Sequence, residues 1–512
     1  MNVRAAWRRR ERPPLVLLAP AAAAAVVALV PVWYLLDRSL ERGWGEVRDE
    51  LWRDRTLQMV TRSVSLTLVV TVACAIIGTA AAWLVTRSDL PGRRLLRVAF
   101  ILPLAVPSYL AAFAWISWRP GLAGFTGAAL VLTLVSYPYV MLPVMATLAH
   151  LDPALDDVAR SLGNRRWQVL TRLTLPQLRP AIAAGSLLVA LYALSDFGAV
   201  AAMRYEAFTW VIYGAYRAGF NPSRAAILAS VLVLLALVLV MAEAGARGRA
   251  HARTGSGTPR AQSTVRLGRA TPLAYLFSLS VLLPALVFPL WRIITWLTTY
   301  TSTDVAWGDV WSALRQTVTL GVLAAALTVL LAMPVGILAA RSSGRLARTI
   351  ERSTYTAHAL PGIVIAISLV YVGVRLLRPI YLETPLLVLG YAVLFLPLAV
   401  GAVRNSVEQS PIRVEEVARS LGSAPPRVLR RVTVPLALPG VFAGATLVVL
   451  ATMKELPVTL VLHPTGTETL ATELWQHTTV SDYANAGPYA LALVLFSAIP
   501  TAILSVTGRA HS

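Results

Sequence analysis

Lysine and cysteine are nearly absent from this chain, with one of each, Lys454 and Cys74, in 512 residues. A lone cysteine excludes an intrachain disulfide and a thiolate metal cage. Set in an apolar run, Cys74 reads as a small buried residue. Lys454 follows Met453, so no Gly-Lys-Ser/Thr phosphate loop exists and the chain holds no P-loop motor of its own. Charge is scarce as well, at 14% of residues against roughly 25% in a soluble globular protein. The histidines, among them His150, His251, His358, His463 and His477, show no metal-ligand spacing and read as structural. No Ser-His-Asp arrangement points to a nucleophilic enzyme.

What is present is apolar: 57% of residues are hydrophobic and the mean hydropathy is +0.65. Long apolar runs with charge confined to the gaps indicate a polytopic membrane protein. The net charge of +21 does not indicate nucleic acid, because the arginines are not pooled in one basic domain. They fall in alternate gaps between spans, as the positive-inside rule requires.

The spacing predicts spans near 14–36, 60–86, 98–118, 122–148, 180–203 and 224–244. A second series follows near 271–296, 314–340, 356–374, 384–403, 438–462 and 488–507. The first run is not a signal peptide, because Pro14-Leu15 and Pro31-x-Trp33 recur as Pro272-Leu273 and Pro289-x-Trp291. Ser63 and Arg87 recur as Thr317 and Arg341, and Leu102-Pro103 as Leu360-Pro361. The expected fold is therefore an all-α polytopic integral membrane protein, about twelve transmembrane helices in two parallel, pseudo-symmetric six-helix halves. The halves are 1–244 and 271–512, joined by 245–270, a basic, Gly/Ser/Thr-rich stretch that reads as a flexible cytoplasmic linker. Arginine-rich gaps at 87–97, 151–179, 341–352 and 404–437 belong in the cytoplasm with both termini. The gap at 463–487 has acids but no Lys or Arg and belongs outside. Loop 37–59 also belongs outside and carries a short amphipathic helix around Trp44, Val47 and Leu51.

One polar stretch occurs twice. Asp156–Gly185 and Glu415–Gly444 align without a gap, with 14 identities in 30 positions, and a long-period repeat means two equivalent units. Asp157 and Glu416 are expected in a helical first turn, where an acid suits the positive end of the dipole. Gly163 and Gly422 are expected to end that helix in a left-handed conformation. Ala159 with Gly163, and Ala418 with Gly422, then form small-residue patches open to a partner. Leu175-Pro176 and Val434-Pro435 close a second helical piece, and Pro180 and Pro439 suit the first turn of the next span.

The pattern acid-x-Ala-x-x-x-Gly, nine residues, an aliphatic, one residue, then Leu/Val-Pro resembles the EAA loop of permease subunits in binding-protein-dependent ABC importers. Both copies carry it, as Asp157-Val158-Ala159…Gly163…Leu173-x-Leu175-Pro176 and Glu416-Val417-Ala418…Gly422…Val432-x-Val434-Pro435. They depart from it in Asp157 for Glu and in valine for the middle alanine. The resemblance implies that loops 152–178 and 411–437 are held by two copies of a cytoplasmic ABC ATPase, through Asp157, Ala159, Gly163 and Pro176 and through Glu416, Ala418, Gly422 and Pro435. ATP and magnesium are then bound by that partner, with no cofactor in this chain. A periplasmic or lipid-tethered binding protein delivers the substrate, and the permease lies multi-pass in a bacterial inner membrane.

Charges in hydrocarbon usually face a pathway or a partner. Asp196, beside Ser195, and Glu455, beside Lys454 and near Thr452, are equivalent at a shift of 259. They form an oxygen-rich lining suited to a passing cation, or they pair with Arg204, Lys454 or each other and only hold the bundle. Gly198 and Pro457 are expected to break the helices there. The segments LSDFGAV…FTWVIYGAY and MKELPVTLVLHPTGTETLATELW look like those of fused ferric-iron permeases, and the layout also resembles thiamine, phosphonate and polyamine permeases. Two acids are too few to hold ferric iron tightly. An ion-coupled secondary transporter built from parallel repeats is the alternative from another class.

Overall fold

Apolar runs in hydrocarbon must satisfy their backbone hydrogen bonds within the chain, and this chain does so almost wholly with helices. The computed structural model describes residues 15–151, 159, 161–163, 165–217, 222–247, 265–299, 306–342 and 344–507. In chain order the main helices are α1 (Leu15–Leu40), α2 (Trp44–Leu51), α3 (Asp54–Arg87), α4 (Arg93–Ile101), α5 (Ser108–Trp118), α6 (Phe125–Ser136), α7 (Pro138–His150) and α8 (Leu175–Ser195). There follow α9 (Gly198–Ala202), α10 (Phe208–Arg217), α11 (Pro222–Arg247), α12 (Thr271–Leu282), α13 (Phe288–Thr299), α14 (Trp307–Arg341), α15 (Arg345–Thr356) and α16 (Gly362–Arg375). The last are α17 (Thr384–Gln409), α18 (Ile412–Ser420), α19 (Val434–Met453), α20 (Pro457–Leu462), α21 (Leu470–Thr479) and α22 (Tyr483–Thr507). Among the described residues, extended pairing is limited to one isolated bridge, Ser88 with Val265.

The all-α polytopic architecture is as expected, and the spans differ in detail. Among the described residues nine helices are long and apolar enough to cross a bilayer, or ten if one bent pair is a single span. That pair is the segment expected at 98–118, where α4 and α5 meet at a 91° bend. Pro107 follows the bend, with Val106 before it extended; a proline removes its own backbone donor and disfavours a helical residue before it. Pro361 does the same in the segment expected at 356–374, leaving the 14-residue α16 after the amphipathic α15. The expected spans at 180–203 and 438–462 likewise stop early, at Ser195 and Met453, each followed by a short helix. Of the expected linker, residues 245–247 close α11, 248–264 lie outside the described residues, and Val265 donates to the Arg87 carbonyl at 2.7 Å.

The chain forms two compact units. One comprises Met1–Arg48, Ala215–Ser230 and Ala306–Glu473. Its centre is the triad α14, α17 and α19, and α1 packs against α14, α15 and α16. Small residues bring the triad's backbones together, the usual device where lipid gives helices no hydrophobic drive to associate. A Cβ on Gly336 of α14 would lie 2.8 Å from Val403 Cγ1 of α17, and one on Gly444 of α19 would lie 3.3 Å from the Ala399 Cα. Ile337, Val403, Val407 and Ala437 are buried together, with Leu17 of α1 against them. Further along α1, Asp37 accepts from the Tyr371 hydroxyl at 2.6 Å, and the Arg375 guanidinium lies 4.6 Å from that ring's centre.

The other unit comprises Asp49–Gly214, Val231–Val305 and Leu474–Ser512. Its triad is α3, α7 and α8, at the equivalent sequence positions. Here a Cβ on Gly78 would lie 2.7 Å from the Tyr137 carbonyl oxygen, and one on Gly185 would lie 2.6 Å from the Val140 Cα. Helices α12, α13 and α22 pack on α4 and α5. Trp115 stacks on Phe288 at 4.1 Å, Trp296 on Tyr483 at 5.0 Å, and the buried Arg292 donates to Ser117 Oγ at 3.0 Å.

Gly336→Leu is therefore expected to destabilise the first unit by about 1–3 kcal/mol through overpacking. Gly308→Leu, where no atom lies within 4 Å of the added Cβ, should stay within about 0.5 kcal/mol. Thermal unfolding of the two variants in detergent checks the difference.

Candidate functional site

The repeated stretch folds alike wherever both copies are described. In the second copy Pro411 precedes α18, and the helix closes in a Schellman turn. Gly422 N–H donates to the Arg419 carbonyl at 2.9 Å and Ser423 N–H to that of Ala418 at 3.1 Å. Gly422 has φ +81° and Gly163 φ +85°, the left-handed conformation expected of both. No atom lies within 4 Å of a Cβ built on either glycine. Glycine is thus required for its φ and not for space, and the surface over Ala418–Gly422 is open. Ala159 and Ala418 are half-buried, and Asp157 lies outside the described residues.

Two placements differ from expectation. Because α18 starts at Ile412, the acid in its first turn is Glu415. Glu416, one residue on, faces solvent instead. Pro180 and Pro439 lie inside α8 and α19, and Pro176 and Pro435 occupy the first turns. The physical reason is a π turn before each helix, Leu170–Thr174 and Leu429–Thr433, in which Leu175 N–H reaches back to Leu170 and Val434 N–H to Leu429. The wider turn carries the helical path through to the Leu/Val-Pro step, so the spans start earlier than the second proline. Short helices Arg166–Val169 and Pro425–Val428 lead into these turns.

Sequence reasoning passed over two features. Leu162 and Leu421, each just before its glycine, are 76% and 80% exposed. The identical Arg-Ser-Leu-Gly in both copies was the available signal. The second feature is Glu415, only 3% exposed, whose Oε1 accepts from Arg341 Nε at 2.9 Å. Arg341 also donates to the Ser410 carbonyl at 3.4 Å, and Arg419 lies 3.8 Å from the same carboxylate. Its signal was the recurrence of both members: Arg87 with Arg341, and Asp156 with Glu415.

The membrane acids sit at the helix breaks expected of Gly198 and Pro457. Asp196 ends α8, is buried, and accepts from the Ala199 and Val200 N–H groups at 2.8 and 3.4 Å. Ser108 Oγ donates to it at 2.5 Å, and Thr209 Oγ1 donates to its carbonyl at 2.6 Å. Ser195, the last residue of α8, is half-buried. Glu455 Oε1 accepts from Val458 N–H at 3.1 Å, and its carbonyl accepts from Thr459 Oγ1 at 2.7 Å. Each carboxylate thereby caps the short helix that follows, α9 or α20, and satisfies N–H groups that would otherwise be orphaned. Glu455 also borders a narrow crevice with Thr317, Tyr391, Thr452, Thr459 and Thr469. Lys454, half-buried, caps α19 through its backbone. Asp196 and Glu455 belong to different units.

Among the described residues no three His, Cys, Asp or Glu side chains cluster as a metal site. His463 Nδ1 is 2.9 Å from the Thr459 carbonyl, and His477 Nδ1 is 2.8 Å from Asp482. Burial works the other way, but hydrogen bonds from Asn485 and His477 hold the Asp482 carboxyl below its ordinary range.

The left-handed turn generates a measurable expectation. Gly422→Ala forces a side chain into that conformation at a cost of about 1–2 kcal/mol, so amide exchange in α18 should accelerate on the order of tenfold. Gly422→Asn, which tolerates the conformation better, should accelerate it less; hydrogen–deuterium exchange by mass spectrometry compares them.

Comparison with known proteins agrees with this geometry. The family model for the binding-protein-dependent transport system inner membrane component matches residues 75–244 and 332–511, and so covers both copies of the loop. The chain is 35% identical over 498 residues to the Fe(3+)-transport system permease protein FbpB 2 of Haemophilus influenzae, covering 96% of this chain and 98% of that one. It is 29% identical over 194 residues to the sulfate transport system permease protein CysT of Escherichia coli, covering 34% of this chain and 69% of that one. CysW of Escherichia coli is 28% identical over 189 residues, covering 34% of this chain and 65% of the relative. A repeated solvated loop, apolar helices on either side of it and a match that takes in both copies lead to one conclusion: the chain belongs to the family of inner-membrane components of binding-protein-dependent transport systems, a multi-pass transport permease and not an enzyme.

Proposed function

We propose that this chain is the fused permease of an ABC importer for ferric iron, with twelve membrane-crossing segments in two six-segment halves, 1–244 and 271–512. The observation that carries the cargo is the 35% identity to a ferric-iron permease across 96% of the chain, where the sulfate permeases cover 34%. Thiamine, phosphonate and polyamine permeases share the layout, so the binding protein used in the test decides the cargo. The arginine-rich gaps and both termini lie in the cytoplasm. A binding protein loads the outer face, and each of two ATPase subunits grips one loop, 152–178 or 411–437. Asp157, Ala159, Gly163 and Pro176 serve the first docking site, and Glu416, Ala418, Gly422 and Pro435 the second. Leu162 and Leu421 supply the apolar contact. Closure of the ATPases biases a two-state change that exposes the pathway to alternate faces. An ion-coupled carrier has no use for two such loops.

Asp196 and Glu455 cap helices, and an acid that caps can also face the path. Ser195, Asp196, Lys454 and Glu455 are assigned to that path, where the oxygens exchange weakly with a passing hard cation.

The test is reconstitution in proteoliposomes with the ATPase and the binding protein. Fe(III)-loaded binding protein should stimulate ATP hydrolysis about tenfold over the empty form and drive iron uptake. Stimulation by another cargo with none by iron refutes the iron assignment. Gly163→Arg or Gly422→Arg should abolish ATP-dependent uptake while the protein still inserts; unchanged uptake refutes docking. Asp196→Asn with Glu455→Gln should lower iron uptake at least fivefold with the ATPase still bound, and wild-type uptake would leave both acids as caps only.

A further inference from the structure

We infer that the longest helix of each half, α14 and its counterpart α3, is a rod that carries movement of the docking loop across the membrane, and that Arg341 and Glu415 clamp its inner end. The inference rests on the docking reading above. Arg341 is the last residue of α14, and its guanidinium joins that helix to Glu415 on the first turn of α18. An ion pair with one carboxylate 3% exposed is little screened by solvent, and breaking it leaves a buried charge. Displacement of α18 is therefore transmitted to α14 and not absorbed in a flexible joint.

The far end of α14 is clamped too. Thr317 Oγ1 accepts from Leu470 N–H at 2.9 Å, and Gln316 Oε1 accepts from Glu468 N–H at 2.9 Å. Leu470 opens α21, so its N–H has no partner within that helix and needs the rod's hydroxyl. Between Thr317 and Arg341 the helix runs without a break, roughly 36 Å at 1.5 Å per residue. Pro334 lies within it, buried, and the helix continues through.

The other half carries the far-end grip on α3, at positions shifted by 254. Ser63 Oγ on α3 accepts from Phe208 N–H at 3.2 Å, at the start of α10, and Arg62 donates to Glu206 at 2.6 Å. Arg87, the last residue of α3, is 4% exposed. Asp156, its acid by alignment, lies outside the described residues. Helices α3 and α14, 34 and 35 residues long, thus carry the same far-end grip on the start of a later helix, and one helix packing on another does not require this.

The test uses the full importer in proteoliposomes, in a Cys74→Ser background with Thr465→Cys on the exposed outer segment. A membrane-impermeant maleimide reads the thiol's accessibility with ADP and with ATP plus vanadate. The parent should show at least a threefold difference between the two states. Glu415→Gln should bring the ratio close to one while the ATPase still co-purifies, and the exchange Arg341→Glu with Glu415→Arg should restore it. Thr317→Val, at the far end of the rod, should also lower the ratio with docking untouched, and it decides the matter if Glu415→Gln fails to assemble. A parent without a nucleotide response, or a Thr317→Val variant with the parent's ratio, overturns the rod. Failure of the parent to bind the ATPase overturns the docking reading instead.

Discussion

A peptide N–H group in hydrocarbon has no water to turn to, and most of the unusual features of this chain follow from that. Where a span is interrupted, the next helix begins with orphan donors, and a side chain answers them. Asp196 does so for α9 and Glu455 for α20. Ser63 and Thr317 do so for α10 and α21. The interruptions are thus stable features of the fold, and the polar side chains at them are held in place by the backbone they satisfy.

Glycine serves two separate needs. At Gly78, Gly185 and Gly336 a Cβ would collide with a neighbouring helix, and the small residue allows the backbones of each triad to meet. At Gly163 and Gly422 nothing would be hit, and the positive φ alone requires glycine. The first kind lets the helices of each triad pack backbone to backbone. The second kind ends a helix abruptly outside the triads and leaves Leu162 and Leu421 standing in solvent.

Each compact unit is assembled from three separate stretches of the chain. Helix α1 packs with α14, α15 and α16, while α12, α13 and α22 pack with α4 and α5. The α14, α17 and α19 triad thus gains a neighbour from the start of the chain, and α4 and α5 gain neighbours from its second half. The aromatic contacts of Trp115 with Phe288, and of Tyr371 with Asp37 on α1, are where that packing is secured.

Much of this was legible without coordinates, because hydropathy and repetition are local properties. The all-helical membrane architecture, the two loops, the left-handed glycines and the helix breaks near Gly198 and Pro457 all follow from residue types in order. The first-turn role given to Glu416 did not hold, because one residue of helical phase separates the buried Glu415 from its exposed neighbour. That phase is set by where Pro411 lets α18 begin. The start of the spans after the loops was misplaced for a similar reason, since a π turn is a backbone adjustment without a sequence rule of its own. What the sequence by itself determined is which segments leave water and which must stay in it, since transfer free energy is a sum over side chains. What only the tertiary structure decided is which polar atoms meet. The pairing of Arg341 with Glu415, and of Thr317 with Leu470, depends on distances across 74 and 153 residues, which packing of helices creates and no local pattern records.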